Sequence, residues 1–245
     1  MVDYGELAIV RGLHFLAESQ AAIAHNLANV DSTGFKRRYS VAEPEPSSFE
    51  SMLDQSLPVI QYREAQDWSP GSLLTTGDKT HVGLEGRGML MVQDRGGNRY
   101  LTRNGRISID AEGFLANDNG HRFVDATGQP IGLGSPDGVN VSRLGIGVDG
   151  SVTIGDTSRG RLGVFAMPGR QMQTIGDGLW VVDQGERLAA EPTTKVRQGS
   201  LERSNVDAMS ELVQMITIQR GFQASTQLLG SIGRMKAAYV DSLNR

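Results

Sequence analysis

The chain has 245 residues, with 24 basic against 28 acidic side chains and a formal net charge of −4. Such a balance, without a long run of either sign, argues against nucleic-acid binding driven by the release of counterions from phosphates. The absence of cysteine excludes disulfides and thiolate metal sites, and there is no run of eighteen apolar residues to span a membrane. The 31 glycines, about twice the usual share, predict many turns.

The first predicted element is a long helix from Glu6 to Val30. Its apolar seam, with one polar member, recurs at alternating spacings of four and three residues: Ile9, Leu13, Leu16, Gln20, Ile23, Leu27 and Val30. Heptad spacing of this kind is typical of a helix that packs along a partner helix. Twenty-five helical residues extend about 37 Å, which the neighbouring sequence is too short to cover. We therefore expect this helix to need a partner.

The helix ends in an unusually polar stretch. Asn26 and Asn29 are poor helix formers, and residues 31–34 supply turn chemistry, with Gly34 able to adopt a positive φ. One interpretation is an asparagine-rich helix cap. The other is that the helix end and the following turn form a surface that is buried against another chain.

The segment from residue 36 to residue 70 lacks a periodic pattern. Pro44 and Pro46 cannot continue a helix, and only a short apolar piece follows at residues 57–60. We expect an extended linker or arm that lies on another subunit.

Residues 71–190 favour an all-β, mostly antiparallel domain. Turn glycines recur every seven or eight residues at positions 97, 105, 113, 120 and 128, a spacing typical of hairpins and too short for βαβ units. The predicted strands are residues 81–84, 89–93, 99–102, 106–109, 114–116, 122–124, 139–141, 151–154, 161–166 and 178–182.

The remaining residues, 191–245, are predicted to form an arm and then a helix from Val206 to Leu243, capped by Asn205 or Asp207. Six of the ten residues from Met209 to Ile218 are apolar, and the whole helix extends about 57 Å. The expected fold is therefore α+β. The N-terminal helix (residues 1–35) and the C-terminal helix (within 191–245) pair as a coiled-coil layer beside the central β domain.

No stretch of the sequence predicts catalysis or cofactor binding. Residues 145–150 formally match the dinucleotide motif G-x-G-x-x-G, but residues 151–155 are strand-like and the motif requires a following helix. The four histidines are scattered without metal-ligand spacing. We expect no catalytic, cofactor-binding or metal residues and no small-molecule substrate. A β-rich binding module and an enzyme with a carboxylate pair are the alternative classes.

Four motifs in order resemble the axial rod and hook proteins of the bacterial flagellum. The first is Asn26-Leu27-Ala28-Asn29-Val30 followed by residues 33–37. The second is residues 71–73, 76–77 and 82–88, and the third is residues 100–105 with Asp110, Gly113 and Leu115. The fourth is Gly199, residues 201–202 and 204–206, and then residues 215–216 and 219–220.

The resemblance implies a structural subunit, most similar to the proximal-rod type, with the distal-rod and hook types as alternatives. Members of this family are exported by the flagellar type III apparatus without a cleaved signal. They polymerise helically through their terminal helices into the rod that crosses the periplasm. The partners implied are other rod proteins and copies of the same chain.

Seam residues and motif residues together form the predicted assembly interface. They are Leu13, Leu16, Ile23, Asn26, Leu27, Asn29, Val30, Thr33, Gly34, Phe35, Gly199, Leu201, Glu202, Ser204, Asn205, Val206, Val213, Met215, Ile216, Arg220, Phe222, Leu228, Ile232, Met235 and Tyr239.

Overall fold

The computed structural model describes residues 4–44, 60–134, 141–167, 172–183, 185–186 and 188–243. The chain forms two compact units. The helical unit comprises Met1–Ala28, Arg38–Asp67 and Asp207–Arg245, and the β unit comprises Asn29–Arg37 and Trp68–Val206. Two long helices and a mostly antiparallel set of strands confirm the α+β class.

The helical unit contains helices α1 (Tyr4–Ala28) and α2 (Ala208–Leu243) and strands β1 (Arg38–Pro44) and β2 (Ile60–Gln66). The two strands pair antiparallel over their whole length, from Arg38 opposite Gln66 to Pro44 opposite Ile60. Residues near both ends of the arm predicted at 36–70 therefore form a two-stranded sheet. The prolines in this segment did not predict these strands. Residues 45–59 lie outside the described residues.

The two helices run antiparallel along each other. From the start of α1 to its end, the contacts are Glu6 with Lys236 (2.6 Å), Leu16 with Gly221, and Asn26 with Glu211 (3.1 Å). As the residue number rises along α1, the number of its partner on α2 falls. The two helices therefore run in opposite directions. A Cβ at Gly221 would stand 3.6 Å from the Leu16 methyl groups, an ordinary van der Waals distance, so the approach of the helices at this point does not require glycine.

Asp207, one of the two predicted caps, begins α2. Its carboxylate accepts a hydrogen bond from the Met209 N–H (3.2 Å), a backbone donor that the first helical turn leaves open, and another from the Ser210 hydroxyl (2.6 Å). These two bonds, that from Ser210 first, hold the pKa of the Asp207 carboxyl below its ordinary value.

The β unit consists of fifteen short strands among its described residues. They are β3 (Leu73–Thr75), β4 (Val82–Glu85), β5 (Met89–Gln93), β6 (Arg99–Thr102), β7 (Ser108–Ile109), β8 (Leu115–Ala116), β9 (Arg122–Phe123), β10 (Leu144–Ile146), β11 (Ser151–Ile154), β12 (Thr157–Arg161), β13 (Val164–Phe165), β14 (Thr174–Gly176), β15 (Leu179–Val181), β16 (Lys195–Gln198) and β17 (Ser200–Glu202).

The largest sheet has the strand order β14-β15-β6-β5-β9-β8-β7, with β13 also paired to β5. Strands β10, β11 and β12 form a meander, β16 pairs with β4, and β17 pairs with β3. All these pairings are antiparallel. The chain therefore returns from its C-terminal side to strands that were formed more than a hundred residues earlier.

One predicted strand and one sequence motif can be compared directly with the structure. The strand predicted at 139–141 is wrong in its described part, because Val141 begins a short 3₁₀ helix (Val141–Arg143). Residues 139–140 lie outside the described residues. The G-x-G-x-x-G match is confirmed as a hairpin: β10 ends at Ile146, the Gly150 N–H donates to the Gly147 carbonyl, and β11 follows.

Strand β5 is buried on both faces and separates two apolar clusters. Leu90 and Val92 point into the larger one, with Val82, Leu115 and Phe123. Met89 and Met91 point into the smaller one, with Leu101, Phe165 and Trp180. This division follows from the alternation of side chains along a strand. Among the described helices, none is both long and apolar enough to cross a membrane.

Replacing Gly105 by alanine should destabilise the β unit. A Cβ at Gly105 would overlap the carbonyl oxygen of Val82, whose N–H bonds the Gly105 carbonyl at 2.9 Å, and such overpacking costs about 1–3 kcal/mol. Denaturant unfolding measures the loss. Gly96→Ala is the matched control, since its Cβ would meet only the ends of flexible side chains, and an equal loss in both variants would contradict the argument.

The first turn of α2 should loosen in acid. A carboxyl whose folded pKa is depressed stabilises the helix above its unfolded pKa of about 3.9, and this contribution disappears as pH falls through the folded value. Amide exchange of Met209 and Ser210 should therefore accelerate, relative to mid-helix amides, as the pH is lowered. Asp207→Asn keeps a capping oxygen that does not titrate and should abolish this pH dependence; its persistence in the variant would refute the cap assignment.

Candidate assembly interface

The polar turn after α1 is bound within the β unit. The Gly34 N–H donates to the Glu202 carbonyl at 2.8 Å, and the Arg37 N–H donates to Asn205 Oδ1 at 2.7 Å. Gly34 has a φ of +69°, and a Cβ there would stand 2.5 Å from the backbone of Arg103. Glycine is therefore required both by the conformation and by the close approach.

A buried carboxylate, Glu202, lies at the centre of this junction. One oxygen accepts hydrogen bonds from Lys36 Nζ (2.7 Å) and the Gly71 N–H (2.9 Å), and the other accepts one from Arg103 Nη1 (2.8 Å). The side chains of Lys36, Arg103 and Glu202 are 1%, 3% and 0% exposed. The cations also donate to main-chain carbonyls, Lys36 to Ser69 and Arg103 to Gly86.

This ion cluster, defined as Lys36, Arg103 and Glu202, joins three distant parts of the chain. Burial of a charge is costly unless it is paired and fully hydrogen-bonded, and here each charged group has several partners. Removing Glu202 leaves both cations buried without a counter-charge, and removing either cation leaves Glu202 with one cationic partner in place of two. The cluster thus makes the junction of residues 34–37 with residues 202–205 specific.

Asn26 has a corresponding role in the helical unit. It is fully buried, donates through Nδ2 to the Arg38 carbonyl (2.8 Å) and to Glu211 Oε2 (3.1 Å), and accepts from the Arg38 N–H (2.8 Å). It therefore ties the end of α1 to the start of β1 and to the start of α2.

The predicted interface residues fall into three groups in the structure. Seven are buried within this one chain: Ile23, Asn26, Gly34, Phe35, Leu201, Glu202 and Val206. Eleven are half-buried: Leu13, Leu16, Leu27, Asn29, Val30, Thr33, Gly199, Ser204, Asn205, Met215 and Ile232. Seven are exposed: Val213, Ile216, Arg220, Phe222, Leu228, Met235 and Tyr239.

The start of α2 reverses the usual distribution of polar and apolar residues. Glu211 is 1% exposed, whereas the apolar residues around it are solvent-exposed. Four of them recur at spacings i, i+3, i+4 and i+7 and therefore share one side of the helix: Met209 (70%), Leu212 (46%), Val213 (61%) and Ile216 (51%). We call these four the α2 apolar face.

Two members of the α2 apolar face, Met209 and Leu212, were missed by the sequence-based prediction of the interface. Their spacing to Val213 and Ile216 was a signal that could have identified them. A second exposed series follows along α2 at Leu228, Met235 and Tyr239. Exposed apolar surface of this extent on one helix is typical of an interaction site.

Comparison with known proteins bears on what this surface contacts. Residues 197–239 match the family model described as flagellar basal body rod FlgEFG protein C-terminal, and residues 83–154 match the flagellar hook protein FlgE/F/G D1 domain. The flagellar basal-body rod protein FlgF of Escherichia coli (strain K12) is 30% identical, over 87% of both chains. The chain belongs to the flagellar basal-body rod protein family.

Other members of the family have similar coverage. FlgF of Caulobacter vibrioides is 29% identical over 91% of both chains. FlgG of Buchnera aphidicola subsp. Schizaphis graminum is 30% identical over 87% of this chain and 89% of that protein. The resemblance inferred from four motifs is confirmed, and the protein is a FlgF-like structural rod subunit of the flagellar basal body.

Glu202→Gln should strongly destabilise the rod protein's β unit. The change keeps the side-chain shape but leaves Lys36 and Arg103 without their buried counter-charge, which costs about 3–5 kcal/mol. Denaturant unfolding followed by tryptophan fluorescence measures the change. Glu112→Gln removes a half-exposed pair with Arg122 and should cost at most about 1 kcal/mol; similar losses in the two variants would rule out a special role for the cluster.

Proposed function

We propose that this chain is a non-enzymatic subunit of the proximal rod that polymerises helically through its terminal helices. The observation that carries the proposal is the α2 apolar face, four exposed apolar side chains on a helix whose opposite side contacts α1. In an assembly, the same side chains are buried between subunits. Heterologous contacts of this kind, repeated from copy to copy, generate a helical array.

The contacts between α1 and α2 support a layered arrangement. The helices already lie antiparallel, and the seam of α1 is half-buried or buried along its length. We propose that they pair as a coiled-coil layer when neighbouring subunits supply the remaining apolar surface. The β unit, which has its own two apolar clusters, then forms a separate layer.

The proximal position is favoured by the FlgF relatives. A distal-rod subunit is the second candidate, because FlgG relatives match to a similar degree. We further propose export by the flagellar type III apparatus and a place in the part of the rod that crosses the periplasm. Absence of cysteine suits a chain that is moved unfolded, since it cannot become cross-linked on the way.

Ile216→Glu should prevent incorporation into the rod while leaving the single chain folded. The side chain is 51% exposed in the chain alone, so a carboxylate is tolerated there, but burying it between subunits is costly. Losing the burial of one isoleucine weakens association by about tenfold or more. Incorporation is measured by isolating basal bodies from a strain that carries only the variant, together with swimming motility.

Val148→Glu is the matched control, because Val148 is also exposed (53%) but lies in a turn of the β unit. The two variants should have the same thermal stability and the same secreted amount, and only Ile216→Glu should be absent from basal bodies. Normal motility of the Ile216→Glu strain would contradict the proposed role of the α2 apolar face.

A further inference from the structure

The β unit contains a cavity of about 330 Å³ beside its smaller apolar cluster. Trp68, Met89 and Met167 supply apolar and polarisable walls, and Arg87 and Arg103 supply cationic groups. Trp68 in turn packs against Trp180, with ring centroids 5.1 Å apart. A cavity of this size, with an apolar lining and a few polar groups, suits a large side chain or a short peptide.

The charged residues that line the cavity are all basic. None of its seven lining residues is acidic. Arg103 belongs to the ion cluster, in which two buried cations face one buried anion. Arg87 is exposed, and within the described ranges its guanidinium has neither a hydrogen bond nor an ion pair. An occupant with a carboxylate next to an apolar anchor would therefore match the cavity in both charge and polarity.

One stretch of this chain has that chemistry. Residues 45–59 contain Glu45, Glu50 and Asp54 and no lysine, arginine or histidine. The same stretch carries Phe49, Met52 and Leu53 among the acids. It joins β1 to β2, whose facing ends, Pro44 and Ile60, are paired. Aromatic side chains that enter a pocket beside an arginine are typical anchors of protein interfaces.

We propose that the cavity of the β unit binds residues 49–54 of a second copy of this chain, with Phe49 in the apolar part and Glu50 or Asp54 facing Arg87. The proposal rests on the proposed assembly, because rod formation brings copies side by side at high effective concentration. Neighbouring chains would then make two contacts. One is at the α2 apolar face, and the other is at the cavity of the β unit. The binding itself requires no polymer, so it can be tested on the single chain.

The probe is a synthetic peptide of residues 45–56, which contains no tryptophan. Of the two tryptophans in the full chain, Trp68 lines the cavity and Trp180 packs against Trp68, so tryptophan fluorescence reports the occupancy of the cavity. Titration of the full-length protein should give a saturable change in emission. A peptide with Phe49→Ser, and another with Glu50→Arg and Asp54→Arg, should each bind at least about tenfold more weakly.

Charge reversal identifies the residue on the receiving side. Arg87→Glu should weaken binding of the natural peptide by about tenfold or more and should bind the Glu50→Arg, Asp54→Arg peptide better than the unchanged protein does. Arg95→Glu, an equal charge change at an exposed turn, should leave the titration as it was. Thermal melts establish that both variants are folded.

A titration without a saturable response, or one that responds equally in the Arg87→Glu and Arg95→Glu variants, would overturn the proposal. These outcomes are independent of the test of assembly. If Ile216→Glu disrupts the rod but the peptide does not bind, only the cavity proposal fails. If the peptide binds and Ile216→Glu assembles normally, only the role of the α2 apolar face fails.

Discussion

The β unit depends on the pairing of one buried carboxylate with two buried cations. Glu202 lies 166 residues after Lys36 and 99 residues after Arg103, so its hydrogen bonds close very long loops. The entropy of closing a loop rises only slowly with its length, and this distance adds little cost once the partners can meet. What the pairing requires above all is Glu202, since without it Lys36 and Arg103 would be two buried cations with no counter-charge.

The bonds of Glu202 join the first and the last residues of the β unit, so both ends of its sequence are needed to complete it. The cluster brings residues 34–37, which come before the first strand of the unit, onto residues 202–205, which come after the last one. A chain that lacks residues 202–205 leaves Lys36 and Arg103 without their counter-charge, and one that lacks residues 34–37 leaves Glu202 without Lys36. Because well-packed apolar groups of similar volume are often as stable as buried ion pairs, we infer that the contribution of the cluster is to favour one arrangement over others.

The elements that could be predicted from sequence are those whose signals are local. Strands at 89–93, 99–102 and 151–154 were found because glycine turns bound them, and both helices were found because their apolar period is long. Strand β12 was missed because all of its residues are exposed, so its sequence does not alternate between apolar and polar residues. Strand β16 was missed because it is defined by pairing with β4, as in Val196 opposite Leu84, and no nearby residue indicates that partner.

The candidate interface, too, could be predicted only as far as local sequence signals allow. Among the interface residues predicted from the motifs and seams, sequence could not distinguish those that serve the chain's own fold from those left on its surface. Asn26 and Glu202 are polar and are buried inside one chain, whereas Val213 and Ile216 are apolar and exposed. Spacing along one helix decides which residues share a side. It does not decide which side contacts α1, because that depends on Asn26 reaching Glu211 across 185 residues.

That contact also explains why the start of α2 is apolar on its outer side. Since Glu211 occupies the inner side, where it bonds Asn26, the apolar residues of this turn are turned away from α1. A protein that functioned alone would gain stability from the opposite arrangement, with the carboxylate in water and Met209 or Val213 against α1. The reversed arrangement places a polar bond where it fixes how the two helices meet and leaves apolar surface where other chains can reach it. Both features are expected of a subunit whose helices are completed by its neighbours.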